Sequence, residues 1–340
     1  MHLRREPDGT TKVVWFIMSE QPSIDRGWDT ADVDACLRGL GFRTKHVHVS
    51  TEAQACSAIP SDSRGVLAWP VCYTLAGDVD GRPLPAVLED VGVAFIGAGA
   101  RSYELNGRIR LKEALAGSAI RSPRYQIVHE ATIESIPFEM PCVMKCEYSS
   151  ESRGVRVVHS KDEAREAWHL LTSRFGQRVI VEEWKRSREF TVAYIPGVER
   201  PIIGALEFIL LGGRVVVDEI AKCDNRLIQF AVPDRETIKH LSDTVCQLAT
   251  DLSIDGHFRA DFLQDAGGEL YVIDINLMPQ MHFSEDCLSY FPMALRATLG
   301  MDTESVVCGL LDSARRKWQL TYPEPAARKV ACAAKLGEER

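Results

Sequence analysis

Apolar and polar residues alternate in two short runs near the end of the chain, which is the pattern of half-buried β-strands. In the first run, FRADFL, Arg259 and Asp261 fall on one face of the predicted strand. In the second run, LYVIDIN, Asp274 and Asn276 likewise share a face. The turn residues DAGG separate the runs, so the pattern predicts a β-hairpin. If Asp261 pairs near Asp274, two carboxylates, an amide and a guanidinium converge on one patch. The alternative is a plain polar outer face on a half-exposed hairpin.

The N-terminal third of the chain alternates between apolar strand patterns and helical patterns, which predicts a parallel sheet covered on both faces. The strand candidates are VVWFIMS, KHVHV, GVLAWPV and VAFIG, and a short helix is expected over LPAVLEDVG. Asp29 or Thr30 is expected to cap a helix whose apolar face consists of Val33, Cys36, Leu37 and Leu40. We predict a Rossmann-like domain over residues 1–107. The lone GxG in GAGARS lacks the third glycine of a dinucleotide fingerprint, so we interpret it as a turn.

The rest of the chain mixes strands and helices. Helices are predicted over residues 108–117, over KDEAREAWHLLTSRF and over DRETIKHLSDTVCQLATDL, and one closing helix is expected through MALRATLG and ESVVCGLLDSARRKW. Strands joined by a polar loop or a charged link are expected in PCVMKCEYSSESRGVRVVHS and QRVIVEEWKRSREFTVAYIPG, and a hairpin in PIIGALEFILLGGRVVV. We assign residues 108–177 to a central α+β lobe, 178–318 to a C-terminal α+β lobe and 319–340 to a loosely held tail.

Composition narrows the classes of function. The 340 residues exceed one ordinary core, 45% are hydrophobic and 26% charged, and no apolar run suits a membrane span or a signal peptide. The ten cysteines are scattered, which is typical of free thiols in a reducing compartment, so we expect a cytoplasmic protein with no membrane partner. The net charge of −8 gives no reason to expect nucleic acid as a partner.

Two further segments carry candidate chemistry for a phosphorylated nucleotide. Lys145 ends an apolar strand and precedes a loop of small hydroxyl residues, which can close over phosphates while the lysine neutralises them. Glu182 and Glu183 end one strand and Glu189 begins the next, where backbone groups can bind a purine edge and a carboxylate can bind ribose hydroxyls. Taken singly, each segment is also compatible with an ordinary solvated loop. The oxygen ligands of the hairpin suit Mg²⁺.

The order of these segments resembles that of the ATP-grasp superfamily, and most of all its D-alanine–D-alanine ligase branch. The lysine and its loop come first, then VEEWKRSREFTV, then a lone lysine in DEIAKCDN, and finally RADFLQDAGGELYVIDINLMP. In the family the corresponding pieces are similar to VEKW…EFTV and R-DF…G…YVLE-NT-PG. The resemblance runs from about Val93 to Met301 and rests on four motifs in the right order. It implies a three-lobed ATP-grasp fold with ATP between the central and C-terminal lobes.

The resemblance implies ATP as the cofactor, together with residues that bind each part of it. The positions that match phosphate-binding residues are Arg108, Lys145, Ser152 and Lys222. The adenine-binding link matches Glu182, Glu183, Trp184 and Lys185, and the ribose carboxylate matches Glu189. A pair of Mg²⁺ ions is implied by three matching ligands, Asp261, Asp274 and Asn276. Lys222 and Arg259 match the catalytic cations, and Arg259 is the one that neutralises the tetrahedral intermediate.

The departures from the family pattern fall mainly in the amino-acid pockets. The early HGG…E segment, which in the family holds the first D-alanine, has no counterpart in IMSEQPSIDRGW, and Gln280 stands where the family has glycine. Asp274 replaces a glutamate, so the second metal is expected to bind more weakly or through water. The resemblance therefore implies an ATP-dependent carboxylate–amine ligase that forms an acyl phosphate from a small, amino-acid-like acid and joins it to an amine.

The acceptor pocket departs in charge. In the D-alanine ligases, a Ser-Leu pair past the NT-P segment binds the carboxylate of the acceptor. Counting from Asn276 puts that serine's place on Glu285, with Ser284 one residue before it. Because two carboxylates repel, the acceptor is expected to lack a carboxylate there or to carry a cationic or donor group. The alternative is a one-residue slip, in which Ser284 takes the serine's role and Glu285 turns to solvent.

Other functions stay open at this stage. One is a phosphotransferase on the same scaffold, and another is a nucleotide-binding protein without turnover, against which the intact Asp261, Asp274, Asn276 and Arg259 argue. A true D-alanine–D-alanine ligase is a special case of the carboxylate–amine ligase, and the missing motif for the first substrate disfavours it. A homodimer is our expectation for the assembly.

Overall fold

The computed structural model describes residues 13–19, 30–59, 65–75, 82–149, 152–185, 187–212, 217, 227–283 and 289–319. Within these residues three sheets follow one another along the chain, with four, four and five strands. The predicted α/β class is confirmed. No helix in these ranges is long and apolar enough to cross a membrane.

The first sheet is parallel, as the alternation of strand and helix patterns predicts. Its order is β2-β1-β3-β4, from strands β1 (Val13–Ser19), β2 (Arg43–Val49), β3 (Val66–Pro70) and β4 (Ala94–Phe95). The helices between them are α1 (Ala31–Gly39), α2 (Glu52–Ala58) and α3 (Leu84–Val91). Thr30 is the residue before α1, but its hydroxyl makes no capping bond and instead lies 3.0 Å from His46 Nε2.

The GAGARS segment is a turn that leads into helix α4 (Ala100–Tyr103). The backbone N–H of Gly99 donates to Asp255 Oδ1 (2.7 Å), and the N–H of Ala100 donates to Glu89 Oε1 (2.9 Å). Two carboxylates therefore already occupy the amides that a phosphate would need, which agrees with the interpretation of this GxG as a turn.

The second sheet is antiparallel and has its own apolar core. Its order is β5-β8-β6-β7, from β5 (Tyr125–Val128), β6 (Cys142–Cys146), β7 (Val155–Val158) and β8 (Val179–Glu183). Two helices belong to this region, α5 (Arg108–Leu115) and α6 (Lys161–Phe175), together with short 3-10 turns at Glu104–Asn106 and Glu130–Ser135. Val128, Met144 and Leu171 represent the core between α6 and the sheet.

The third sheet is antiparallel and shares its core with the first. Its order is β11-β10-β9-β12-β13, from β9 (Ser187–Ile195), β10 (Ile202–Leu210), β11 (Ile228–Ala231), β12 (Phe258–Asp265) and β13 (Leu270–Asn276). The helices are α7 (Arg235–Asp251), α8 (Tyr290–Leu299) and α9 (Thr303–Trp318). Phe16 and Leu67 of the first sheet belong to one cluster with Phe190 and Phe258 of the third. The central lobe thus has a separate core, and the other two are packed together.

Two sequence predictions differ from the structure, and two others fall outside the described residues. The closing helix is two helices, because Gly300 adopts a left-handed φ of 69° that ends α8. The boundary at residue 178 separates β8 from the sheet with which it pairs, since β8 joins the second sheet and β9 the third. The return strand of the hairpin after Leu210 and the tail from residue 320 lie outside the described residues.

The end of α9 is fixed to the first sheet. Lys317 Nζ donates to the carbonyl of Gly97 (3.1 Å) and pairs with Asp255 (2.8 Å). Trp318 Nε1 donates to the carbonyl of Phe95 (2.8 Å), and the two rings are 5.0 Å apart. The last described helix therefore closes the β4 edge of the first sheet.

Candidate active site

The predicted hairpin forms, and its register brings the predicted ligands together. Strands β12 and β13 pair antiparallel, with Asp261 opposite Asp274 and Arg259 opposite Asn276. The register shifts directly after Asp261, where the ladder has a bulge. Because directly opposed residues point to the same side of a sheet, two carboxylates, an amide and a guanidinium share one face, as the alternation predicts.

Asp261 is buried and held by donors on two strands. The guanidinium of Arg259 donates to both of its oxygens, from Nε to Oδ1 (3.0 Å) and from NH2 to Oδ2 (2.9 Å). Thr191 on the neighbouring strand β9 donates to Oδ1 (2.7 Å). Burial alone would lower the pKa of Arg259, but the attraction of Asp261 outweighs it and raises that pKa. The arginine is therefore a fixed, permanently charged group on this face.

Arg108 joins Asp274 to the loop that follows Lys145, which is predicted to cover the phosphates. The guanidinium NH2 of Arg108 lies 2.9 Å from Asp274 Oδ2, and NH1 donates to the carbonyl of Cys146 (2.7 Å) and to Ser149 Oγ (2.9 Å). Its Nε–H is buried and has no hydrogen-bond partner among the described residues. An anionic ligand could accept a hydrogen bond from this buried N–H of a positively charged side chain.

Asn276 ends the hairpin and is contacted from the first sheet. Its Oδ1 accepts bonds from the N–H of Met278 (2.9 Å) and from the hydroxyl of Tyr73 (2.6 Å), which follows strand β3. No group of three or more His, Cys, Asp or Glu side chains suited to a metal occurs in the described part of the chain. A cation at the hairpin would therefore need the amide oxygen of Asn276 as well as the two carboxylates. These are hard oxygen donors in register on one face, so they fit Mg²⁺.

Glu182 is turned inward between two lysines. Its carboxylate lies 2.8 Å from Lys112 Nζ and 2.7 Å from Lys145 Nζ, and all three side chains are buried. Burial alone would raise the pKa of Glu182, but the two ammonium groups more than compensate and lower it to about 2. The side chain of Glu182 therefore holds Lys145 in place. Of the predicted adenine link, only residues 183–185 remain as candidates to bind a purine.

The sequence interpretation gives Lys112 no role, although its position on the buried face of α5 indicates that it needs a charged partner. It lies on the buried stripe of α5 with Arg108, Ile109 and Leu115. A lysine at an apolar position of an amphipathic helix needs a partner, because an unpaired buried charge is costly. Here the partner is Glu182, and Lys112 also donates to the carbonyl of Pro123 (3.2 Å).

The predicted adenine link, residues 183–185, runs from the second sheet to the third. Glu183 is held by Arg124 (2.9 and 3.2 Å), whose hydrogen bonds lower the pKa of that carboxyl. Lys185 lies 3.6 Å from Glu183 and 4.6 Å above the ring of Tyr271. The indole N–H of Trp184 is buried and has no hydrogen-bond partner among the described residues. The predicted ribose residue, Glu189, lies opposite Phe208 where β9 pairs with β10.

Two predicted loops are only partly described: the phosphate-covering loop after Lys145 and the acceptor loop after Asn276. Ser152 has a left-handed φ of 57°, its carbonyl accepts from the N–H of Val155, and residues 150–151 are outside the described ranges. Lys222, Ser284 and Glu285 are also outside them. Of the acceptor loop, the carbonyl of Gln280 accepts a bond from the hydroxyl of Ser289 (2.5 Å), which precedes α8. Ser289 was not singled out from the sequence, because it lies thirteen positions beyond Asn276.

Comparison with known proteins gives the family of the chain. A family model described as D-ala D-ala ligase C-terminus matches residues 119–312, more than half of the chain. The D-alanine–D-alanine ligase of Pseudomonas fluorescens (strain Pf0-1) is 29% identical over 242 residues, which cover 69% of this chain and 71% of the relative. Protein y4sG of Sinorhizobium fredii (strain NBRC 101917 / NGR234) is 23% identical over 259 residues, 72% of this chain and 75% of that protein.

Solved structures show the same fold. The VanG D-Ala:D-Ser ligase from Enterococcus faecalis superposes with a TM-score of 0.69 at 17% identity, covering 90% of this chain and 100% of the other. The D-alanine–D-alanine ligase from Bacillus anthracis complexed with ATP superposes with a TM-score of 0.67 at 14% identity, covering 91% and 99%. The fold is therefore the three-lobed ATP-grasp fold, and the class is that of ATP-dependent ligases that join a carboxylate to an amine. Within that class, the chain belongs to the D-alanine–D-alanine ligase family.

Proposed function

We propose that the protein joins a small, amino-acid-like carboxylic acid to an amine through an acyl phosphate, with ATP bound between the second and third sheets. The observation that carries the proposal is the registered face of the hairpin, where Asp261, Asp274 and Asn276 lie beside the half-buried Arg259. Three of the relatives named above are named as D-alanine–D-alanine or D-Ala:D-Ser ligases, which supports amino acids as the substrate class.

The ligands of the nucleotide are proposed from the same geometry. Lys145 and Arg108 approach from the second sheet and α5, and the donor of Arg108 that lacks a partner supports a role in binding phosphate. Residues 183–185 would hold the adenine and Glu189 the ribose, with Lys222 and Ser152 on the phosphates. Asp261, Asp274 and Asn276 would hold a pair of Mg²⁺ ions. When bound, Mg²⁺ supplies positive charge against the triphosphate and the transferred phosphoryl group.

Two bond exchanges make up the reaction. A carboxylate oxygen of the acid bonds to the γ-phosphorus while the bond to the bridging oxygen breaks, and ADP leaves. The amine nitrogen then bonds to the acyl carbon, phosphate leaves with the electron pair of the C–O bond, and the nitrogen loses a proton. Arg259 is the group proposed to stabilise the negative charge on the acyl oxygen in this second step. No protein nucleophile takes part, so catalysis consists of positioning and charge neutralisation.

The test of the proposed function is the release of ADP and phosphate from ATP in a screen of acids and amines. A ligase releases phosphate only when both an acid and an amine are present, and an amide product appears in equal amount. Phosphate transfer to a single substrate, with no need for an amine, would establish the phosphotransferase instead. Nucleotide binding without turnover across the whole screen would support a binding protein.

The two phosphate-binding lysines are expected to affect different constants. Lys145 contacts phosphates in both ground and transition states, so Lys145→Ala should mainly weaken ATP binding, by about tenfold or more. Lys222, by family likeness, faces the transferred phosphate, so Lys222→Ala should mainly lower kcat. Isothermal titration with ATP and steady-state kinetics separate the two effects. If Lys145→Ala bound ATP with unchanged affinity, Lys145 would not be a ligand of the nucleotide.

The acceptor is proposed to lack a carboxylate at the position that Glu285 faces, or to carry a cationic group there. The wild-type enzyme should then prefer amines without a carboxylate over D-alanine, and Glu285→Ser should shift kcat/KM towards D-alanine by about tenfold or more. The measurement is a competition between D-alanine and its decarboxylated analogue, ethylamine. The matched control is Ser284→Ala, which should have little effect if Glu285 is the contact.

Efficient use of D-alanine by the wild type, with no response to Glu285→Ser, would restore the dipeptide-ligase reading. Ser289 then becomes the next candidate for the acceptor serine, because it is buried, precedes α8 and donates to the carbonyl of Gln280. A cytoplasmic homodimer with an N-terminal, a central and a C-terminal lobe stays our prediction for the whole protein, with β8 moved into the central lobe.

A further inference from the structure

A tyrosine of the first sheet contacts the proposed metal ligand at the end of the hairpin. Tyr73 lies three residues after strand β3, and its hydroxyl donates to Asn276 Oδ1 at 2.6 Å, across 203 positions of sequence. This is a short hydrogen bond between two lobes. Tyr73 has no assigned role in the reaction described above.

Neighbouring residues of the first lobe hold the same segment. Tyr103 packs edge-on against the ring of Tyr73, with centroids 6.1 Å apart, and its own hydroxyl donates to the carbonyl of Leu277 (3.5 Å). Asn106 Oδ1 accepts from the N–H of Leu277 (3.1 Å). Packing of the Tyr73 ring against Tyr103 thus fixes the position of the Tyr73 hydroxyl. The segment after β13 is also held by the bonds of Tyr103 and Asn106 to Leu277.

The amide oxygen of Asn276 has its full number of donors. A carbonyl oxygen offers two lone pairs, and these are taken by Tyr73 and by the N–H of Met278. The Met278 bond closes a turn of the same segment and moves with Asn276, whereas Tyr73 comes from another lobe. Mg²⁺ demands near-ideal octahedral geometry, so a ligand oxygen must direct a lone pair at the ion. A cation that binds Asn276 must therefore replace Tyr73.

We propose that the Tyr73 hydroxyl and the cation that binds with ATP compete for the coordinating lone pair of Asn276, so that the cation must displace the hydroxyl. Tyr73 is then a positioning residue that acts through Asn276. Its hydroxyl competes with the cation for one oxygen of that side chain. The competition lowers the affinity of that cation, so removal of the hydroxyl raises it. This inference rests on the proposed function, because it requires Asn276 to be a metal ligand.

The experiment measures cation binding and not turnover. Mn²⁺ serves as the probe, and the signal of free aqueous Mn²⁺ in electron paramagnetic resonance is followed during titration of the full chain with a non-hydrolysable ATP analogue. Tyr73→Phe keeps the ring against Tyr103 and removes the hydroxyl alone. We expect it to lower the half-saturating Mn²⁺ concentration of the weaker site about three- to tenfold, the effect of one hydrogen bond. Tyr103→Phe is the matched control, because its hydroxyl contacts a backbone carbonyl that is no ligand, and it should leave Mn²⁺ binding unchanged.

Unchanged or weaker Mn²⁺ binding in Tyr73→Phe would overturn the inference and make the contact a structural tie. Asn276→Ala distinguishes this failure from failure of the proposed function. If Asn276→Ala weakens Mn²⁺ binding while Tyr73→Phe has no effect, only the inference fails. If Asn276→Ala also has no effect, Asn276 is not a ligand and the metal assignment fails. In the double variant the effect of Tyr73→Phe should disappear, because the competition needs both groups. A thermal unfolding scan of each variant confirms that it is folded.

Discussion

Asp274→Asn is expected to lower kcat about 10²–10³-fold, which corresponds to ~3–4 kcal/mol of lost transition-state stabilisation. The substitution keeps the shape of the side chain. It removes the negative charge that attracts Arg108 and would attract Mg²⁺ at short range in a partly buried site. Asp261→Asn should have an effect of the same order, because it removes the charge that Arg259 and a cation would share. The measurement is steady-state ADP release at saturating ATP and over a range of Mg²⁺ concentrations.

The matched control for these variants is Asp243→Asn. Asp243 is an exposed carboxylate on α7 that pairs with Lys239 (2.7 Å), so its loss should change kcat little. Thermal unfolding of Asp243→Asn should be close to that of the wild type, and Asp261→Asn and Asp274→Asn should remain folded at the assay temperature. A near-normal rate of Asp274→Asn at ordinary Mg²⁺ concentration would mean that the hairpin is not the metal-binding face.

Glu182→Gln is expected to destabilise the protein by ~3–5 kcal/mol at neutral pH, because it leaves two buried ammonium groups without their counter-charge. The loss should depend on pH. The pKa of Glu182 is lowered to about 2 from an ordinary value of 4.5, so its stabilising effect is fully present above about pH 4.5. That effect, ~3 kcal/mol, is lost as the pH falls towards 2. The difference between wild type and variant should therefore narrow over this window.

Urea denaturation at neutral pH and at several acidic pH values measures this difference. Glu183→Gln is the matched control, since the adjacent carboxylate is paired with exposed Arg124 and should contribute only about 1 kcal/mol or less. If Glu182→Gln unfolded at the same urea concentration as Glu183→Gln at neutral pH, the two lysines would not depend on Glu182. ATP binding should also weaken in Glu182→Gln, because Lys145 loses the group that positions it.

The sequence predicts best where local periodicity decides the structure. The hairpin follows from alternation and a turn, and a period of two leaves one choice of face for Asp261 and Asp274. The same rule says that the adjacent Glu182 and Glu183 point to opposite faces, but not which of them faces inward. The partner of an inward carboxylate decides that question, and Lys112 lies 70 positions away on α5.

Long-range assembly accounts for what the sequence does not predict. The local pattern of β8 and β9 is that of two consecutive strands, and nothing in it indicates that they belong to different sheets. The contact of Tyr73 with Asn276 depends on how the first lobe is oriented over the hairpin, a property of tertiary packing that no motif carries. The family resemblance suggests roles for residues, but it does not give their side-chain partners within the fold.

The attachment of α9 to β4 has a consequence for synthesis of the chain. The strands of the first sheet, the last of which ends at Phe95, leave the ribosome long before Lys317 and Trp318 do. Until then the carbonyls of Phe95 and Gly97 lack these α9 donors, and the edge of β4 lacks the cover that protects an edge strand from pairing with other chains. Of the three lobes, the one with the first sheet therefore receives its last contacts only after the other two have been synthesised.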